Sequence, residues 1–417
     1  MHQMTLAAST QPRSAAATAS QAAPRVRDLR LDFFRGLAMF IILMAHIQDN
    51  RAALWIPARW GFSDATEIFV FCSGMASAIA FGGTFSRAGW PIGTARVLFR
   101  VWQVYWAHIG LFFATLALTV WLTSLDITGV NYWGQLNLWS IFEESDQWEN
   151  PDILLNLMTL RWVPNYFDIL PMYMVVLLMM PLVMALARVD LRLVVVFVLV
   201  VWLMAQWSLM QGLGLGWLHL ELPAEPWSDR PWFFNPFGWQ LIFFTGFAFM
   251  RGWLPKPPVT PALMALAAFI VLANIPLSDL GARFGGDWVR DWRLQNMAWY
   301  DKTDFAVLRY VHFLALAYLA WVLAGDRGDN LLSRGESTLA QGWRGVLAVI
   351  LKVGQQSLAV FVASMFLARF LGFWLDIYGR SIPVTTLINL IGIVLLVVVA
   401  YGAGWFKSQP WRARGTK

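Results

Sequence analysis

The sequence predicts an all-α fold: a polytopic transmembrane helical bundle of about ten spans with both termini cytoplasmic. Three observations predict it. Hydrophobic residues make up 58% of the 417 and charged residues only 13%, roughly half the charged share of a soluble domain. Mean hydropathy is +0.55. Apolar runs long enough to cross a bilayer, which takes about 20 residues, recur from residue 31 to residue 406.

The candidate spans fall at 31–50, 64–83, 98–124, 168–187, 192–211, 237–254, 260–277, 304–325, 346–372 and 383–406. The predicted organisation is a cytoplasmic tail over 1–30, a transmembrane domain over 31–407 and a short cytoplasmic tail over 408–417. The first 30 residues are Ala-, Ser-, Thr- and Gln-rich with Arg13, Arg25, Arg27 and Arg30. They carry no continuous apolar stretch, so no cleavable signal is expected and the tail reads as disordered.

Charge between the spans predicts orientation. The tails, the connection with Arg87 and Arg96, the turn Arg188–Arg192 and the turn with Arg251 and Lys256 are basic and alternate along the chain. Basic loops stay inside, which predicts that both termini are cytoplasmic. The facing loops are longer; 126–165 holds Asp126, Glu143, Glu144, Asp146, Glu149 and Asp152. Many of the 25 tryptophans sit at the ends of apolar runs, as interfacial anchors do.

The net charge of +6 follows from the same loop bias, and with no basic soluble module no nucleic acid partner is expected. The single cysteine, Cys72, excludes an intrachain disulfide. No HxxxH or CxxC spacing and no Gly-rich phosphate loop occurs, so neither a metal site nor ATP-driven transport is expected. The partner expected from composition is the lipid bilayer.

Ionisable residues inside spans are costly and mark function. Arg35 and His46 lie 11 residues apart in the first span. Eleven residues make nearly three turns, so both share one face, about 16 Å apart along the axis. A neutral imidazole suits a general base; its structural alternative is a carbonyl-bonded histidine, and for Arg35 a snorkelling anchor. Asp64 and Glu67 open the second span at i,i+3. Either carboxylate is a candidate to orient His46, with Asp64 also placed to cap the helix. Cys72 and Ser73 read as packing residues rather than nucleophiles.

Arg96 and Arg100 stand at i,i+4 on entry to the third span. With Arg35 they form a candidate cationic mouth for a phosphorylated or carboxylate ligand, against the alternative of ordinary basic flanking. Asp168 and Tyr173 open the fourth span, and Lys302, Arg309 and His312 surround the start of the eighth. These are candidate substrate-binding residues, with a structural ion-pair network as the alternative.

The residues in these positions resemble a known pattern. Arg35-x10-His46, the stretch Glu67-Ile68-Phe69-Val70-Phe71-Cys72-Ser73-Gly74 and the basic entry Arg96 to Trp106 are similar to the membrane acyltransferase-3 superfamily, except that Gln103 stands where that pattern has proline. Arg27 to Leu37, Gly61 to Glu67, Leu170-Pro171-Met172-Tyr173, Asp301-Lys302-Thr303, Leu308 to Leu314 and Gly354 to Phe361 resemble, more closely, the OpgC family of osmoregulated periplasmic glucan succinyltransferases. The resemblance spans nearly the whole chain beyond the first tail. It implies an O-succinyltransferase using succinyl-CoA as donor, with no permanently bound cofactor, and periplasmic glucan hydroxyls as acceptor. His46 is then the base, Glu67 or Asp64 its partner, Arg35, Arg96 and Arg100 the phosphate ligands, and Arg309 the ligand of the succinyl carboxylate. An acetyl-CoA-dependent polysaccharide O-acetyltransferase and a proton-coupled glycan or lipid transporter remain as alternatives.

Overall fold

The computed structural model describes residues 28–142 and 152–412. The first tail up to Arg27, the acidic residues Glu143, Glu144, Asp146 and Glu149, and the last five residues lie outside the described residues. Among those described the fold is all-helical, with one isolated bridge between Pro223 and Pro231 and no strand.

Among the described residues eleven helices of more than ten residues carry the fold: α1 Leu29–His46, α2 Ala65–Ser77, α3 Gly83–Ser124, α4 Ile169–Val189, α5 Leu191–Met204, α6 Pro236–Arg251, α7 Pro261–Asn274, α8 Val307–Ala324, α9 Thr338–Gln355, α10 Ser357–Tyr378 and α11 Ile382–Ser408. Their starts are chemically marked. Asp28, Asp64, Asp190, Asn235, Thr260 and Ser337 each accept a backbone N–H of the first turn, which satisfies a donor that the helix itself leaves free. Pro236 and Pro261 occupy the first helical position, where a missing N–H costs nothing. Gly252 ends α6 in the left-handed region at φ 71°, as a helix stop requires.

The helical stretch Ala65–Ser124 is 60 residues long. Straight, it would extend about 90 Å, three times a bilayer core. It does not stay straight. Gly89 adopts φ 82°, ψ 176°, a conformation open to glycine, and Pro91 follows. Arg96 Nη1 then donates to Thr84 Oγ1 at 2.5 Å. Twelve residues of straight helix would separate these by about 18 Å, so the chain folds back into a helical hairpin. The predicted second and third spans are joined by this turn rather than by a loop.

Cross-chain bonds set the course of the remaining helices. At one end of the bundle Arg30 reaches the Gly325 carbonyl, Trp90 the Pro181 carbonyl, Tyr318 the Pro258 carbonyl and Lys407 the Gln356 side chain. At the other, Lys302 meets Asp64, Asn235 meets Asp304, Asn50 meets Asn389 and Tyr132 meets Asp376. The chain thus alternates between two ends, and Asp28 and Arg412 lie at the same one. Helix α9 packs across the first half of α1, where a Cβ on Gly36 would overlap the Ile350 carbonyl and one on Gly354 the Asp32 carbonyl. The predicted ninth span, 346–372, is therefore two helices, broken at Gln356 (φ −107°, ψ 28°).

Five described helical stretches are long and apolar enough to cross a membrane: Ala65–Ser124, Ile169–Val189, Val307–Ala324, Ser357–Tyr378 and Ile382–Ser408. Leu191–Met204 and Pro261–Leu277 are apolar but shorter, and α1 carries Arg30, Asp32 and Arg35. Length and apolarity thus account for part of the expected ten. Helices α2 and α6 approach most closely through small residues: a Cβ on Gly74 would overlap the Phe243 carbonyl, and one on Gly246 the Phe71 carbonyl. Such residues let backbones touch where no hydrophobic drive separates lipid from protein. Met39, Leu43, Phe112, Trp162, Trp239 and Phe243 are fully buried at the centre of the bundle.

Candidate active site

A cavity of about 310 Å³ opens where α1 ends and α2, α4, α6 and α8 begin. Its polar lining is His46, Thr66, Asn165, Tyr166, Asp168 and Lys302; Phe69, Phe233, Phe234 and Phe361 supply rings. His46 is the last residue of α1. Its Nδ1 lies 2.8 Å from the Ile42 carbonyl oxygen. A carbonyl only accepts, so Nδ1 carries the proton and Nε2 keeps a lone pair. The ring packs edge-on against Tyr166 at 5.6 Å. Tyr166 reaches that position through a left-handed backbone at φ 85°, a strained conformation for an aromatic residue. Its hydroxyl donates to the Met365 carbonyl at 2.5 Å.

The two carboxylates of α2 do not hydrogen-bond His46, and this corrects the expectation that one of them orients it; the Ile42 carbonyl does so instead. Glu67 is fully buried. Its Oε1 accepts Arg309 Nη2 at 2.6 Å and Nε at 2.8 Å, and its Oε2 accepts the Asp64 backbone N–H at 2.7 Å. Asp64 closes this capping box by accepting the Thr66 N–H at 2.6 Å, and accepts Lys302 Nζ at 2.6 Å. The local sequence Ser63-Asp64-Ala65-Thr66-Glu67 produces this as a reciprocal cap, and α8 supplies the cation. Arg309 is consequently occupied, which removes the basis for assigning it to a substrate carboxylate.

Lys302, held by Asp64, lies 5.6 Å from the Phe234 ring and 5.9 Å from Phe233, at the cavity wall. Asp168 is buried in the same wall, where its carboxylate accepts a long bond, 3.4 Å, from the Phe233 N–H. His312 stands apart. Its Nδ1 lies 2.7 Å from Ser63 Oγ and accepts the Ser63 N–H at 3.3 Å, while Gly61 packs on its ring.

A second group of charges gathers at the opposite end. Arg35 donates to Ser357 Oγ of α10 and lies in electrostatic range of Tyr173, Cys72, Asp32 and Arg100. Lys407, on α11, faces Arg100, Arg35 and Lys352. The cationic mouth expected from Arg35, Arg96 and Arg100 is therefore built differently. Arg96 turns outward to Thr84 across the Gly89 bend, and Lys352 and Lys407 take its place.

Arg369 escaped the sequence reading. It lies on α10 one turn beyond Met365, with its guanidinium 4.4 Å from the Tyr166 ring centre and Nη2 3.4 Å from the His46 carbonyl oxygen. The signal was available, since it is an arginine inside a predicted span. Asn165 and Tyr166 carried only the weaker mark of preceding Asp168 at a span entrance.

No curated protein and no solved structure matches the chain at a significant level. The profile of the OpgC protein family matches residues 27–408. Covering nearly the whole sequence, that match shows that the chain belongs to the OpgC protein family.

Proposed function

We propose that the protein is an integral membrane O-acyltransferase that moves a succinyl group from succinyl-CoA to hydroxyls of osmoregulated periplasmic glucans. Family membership supports a membrane acyltransferase acting on glucans. The observation that carries the chemistry is His46: its Nδ1 proton is committed to Ile42, and the residue lines a cavity walled by hydroxyl-binding groups and rings.

In this proposal a glucan hydroxyl enters the cavity between Asn165, Asp168, Thr66 and Lys302. His46 Nε2 takes its proton as the oxygen attacks the thioester carbonyl. The C–S bond breaks and the departing thiolate takes that proton from the imidazolium, so one ester and one thiol form. Arg35, Arg100, Lys352 and Lys407 would hold the phosphates of the donor at the far end. The 11 residues from Arg35 to His46 place these cations about 16 Å from the base, so the donor's arm would run along α1 toward the cavity. With the basic end in the cytoplasm, both termini lie there, in a bacterial inner membrane, and the cavity opens to the periplasm. Glu67, Arg309 and Asp64 then serve the site indirectly, by holding α2 to α8 and fixing Lys302.

The test is mass spectrometry of periplasmic glucans from cells with and without this chain. Succinyl esters that appear only with the chain are the expected result. Acetyl esters would favour the acetyl donor, and unmodified glucans would reject acyl transfer.

A further inference from the structure

Most cations around the cavity already have an anion. Lys302 has Asp64, Arg309 has Glu67, and further out Arg380 has Asp376. Arg369 has none among the described residues, although it is only 9% exposed. Its Nε has no hydrogen-bond partner, and it meets uncharged groups: the His46 carbonyl through one long bond, and the ring and hydroxyl of Tyr166. A guanidinium stays protonated at any relevant pH, and a buried charge without a counter-charge is costly. The place for the missing anion is beside the base: Arg369 stands just behind the cavity wall, next to Tyr166, His46 and Met365, which line it.

We infer that Arg369 is the acyl-specificity residue, binding the free carboxylate of a dicarboxylic acyl group while His46 acts at the thioester carbonyl. The planar fork of the guanidinium matches a carboxylate in two parallel bonds. A succinyl group carries its carboxylate two methylenes from the reacting carbon, which suits an arginine touching the residue that holds the base. A neutral acyl group leaves the fork empty. This assignment rests on the acyl-transfer proposal above.

The experiment offers membranes carrying the full chain an equal mixture of succinyl-CoA and acetyl-CoA with glucan, and the ratio of the two esters is read by mass. Arg369→Gln is expected to lower the succinyl-to-acetyl ratio about ten- to a hundredfold, the weight of a charged hydrogen-bonded pair. Arg369→Lys, which keeps the charge without the fork, falls between. A ratio that stays at the wild-type value while total transfer drops would overturn the assignment and leave Arg369 a support for His46. Should Arg369→Gln not accumulate in the membrane, Arg369→Lys is judged on the same ratio. Wild-type membranes that transfer neither group would reject the acyl-transfer proposal itself, a distinct failure.

Discussion

Replacing Glu67 by glutamine removes a single charge from a site with no access to water. The carboxylate is fully buried and receives three N–H groups: Arg309 Nη2 at 2.6 Å, Arg309 Nε at 2.8 Å and Asp64 N at 2.7 Å. The amide keeps an accepting oxygen but offers Arg309 no charge. Breaking a buried pair costs about 3–5 kcal/mol, largely because the surviving charge stays buried. Asp64 Oδ2, 3.7 Å from Arg309 Nη2, compensates in part, although it already binds Lys302, which puts the expected loss near 3 kcal/mol. The assay is unfolding of the detergent-solubilised protein for Glu67→Gln, Arg309→Met and the double variant. The double variant should lose less than the sum of the single losses by about 2 kcal/mol, since contacting partners are not additive. In parallel, transfer per folded molecule should stay within about tenfold of wild type, against the ~10²–10⁴-fold loss that a direct part in the base's proton transfer predicts. Glu67→Gln as stable as wild type, or additive losses, would refute the ion-pair argument. A stable but inactive Glu67→Gln would return Glu67 to the catalytic machinery.

The other predictions follow the same geometry. Asp64→Ala removes the cap of α2 and the partner of Lys302; the cap alone is worth about 1 kcal/mol, so thermal stability should fall by at least that amount. Gly354→Leu drives a side chain into the Asp32 carbonyl and should lower stability by roughly 1–3 kcal/mol or more, read as lost accumulation in the membrane. Lys352→Gln and Lys407→Gln should each raise KM for acyl-CoA with kcat retained, and the difference from wild type should shrink with added salt, as screening of partly exposed charges requires. An unchanged KM for both would remove these lysines from the donor site.

What the sequence made visible depended on how local each feature is. The shared face of Arg35 and His46 follows from helical period alone; Arg35 bonds Ser357 of α10, and His46 lines the cavity with Phe361 and Met365 of the same helix. The Asp64 cap was equally local. The partner of Glu67 was not, because Arg309 stands 242 residues away and only the packing of α8 on α2 brings it in. The same holds for the basic end, where Lys352 and Lys407 arrive from α9 and α11 while Arg96, four residues from Arg100, turns away. Hydropathy located the apolar segments but not their joints: it ran through the break at Gln356, and the hairpin depends on the positive φ of Gly89. Tyr166 takes its place through a backbone conformation that no propensity would assign to it.

The central claim is that His46 is the base of an acyl transfer, and one comparison tests it most directly. Periplasmic glucans from cells carrying the wild-type chain are weighed against those from cells carrying His46→Ala, at matched amounts of protein in the membrane. The account predicts succinyl esters with the wild-type chain and none with the variant. Equal ester content in the two samples would contradict it.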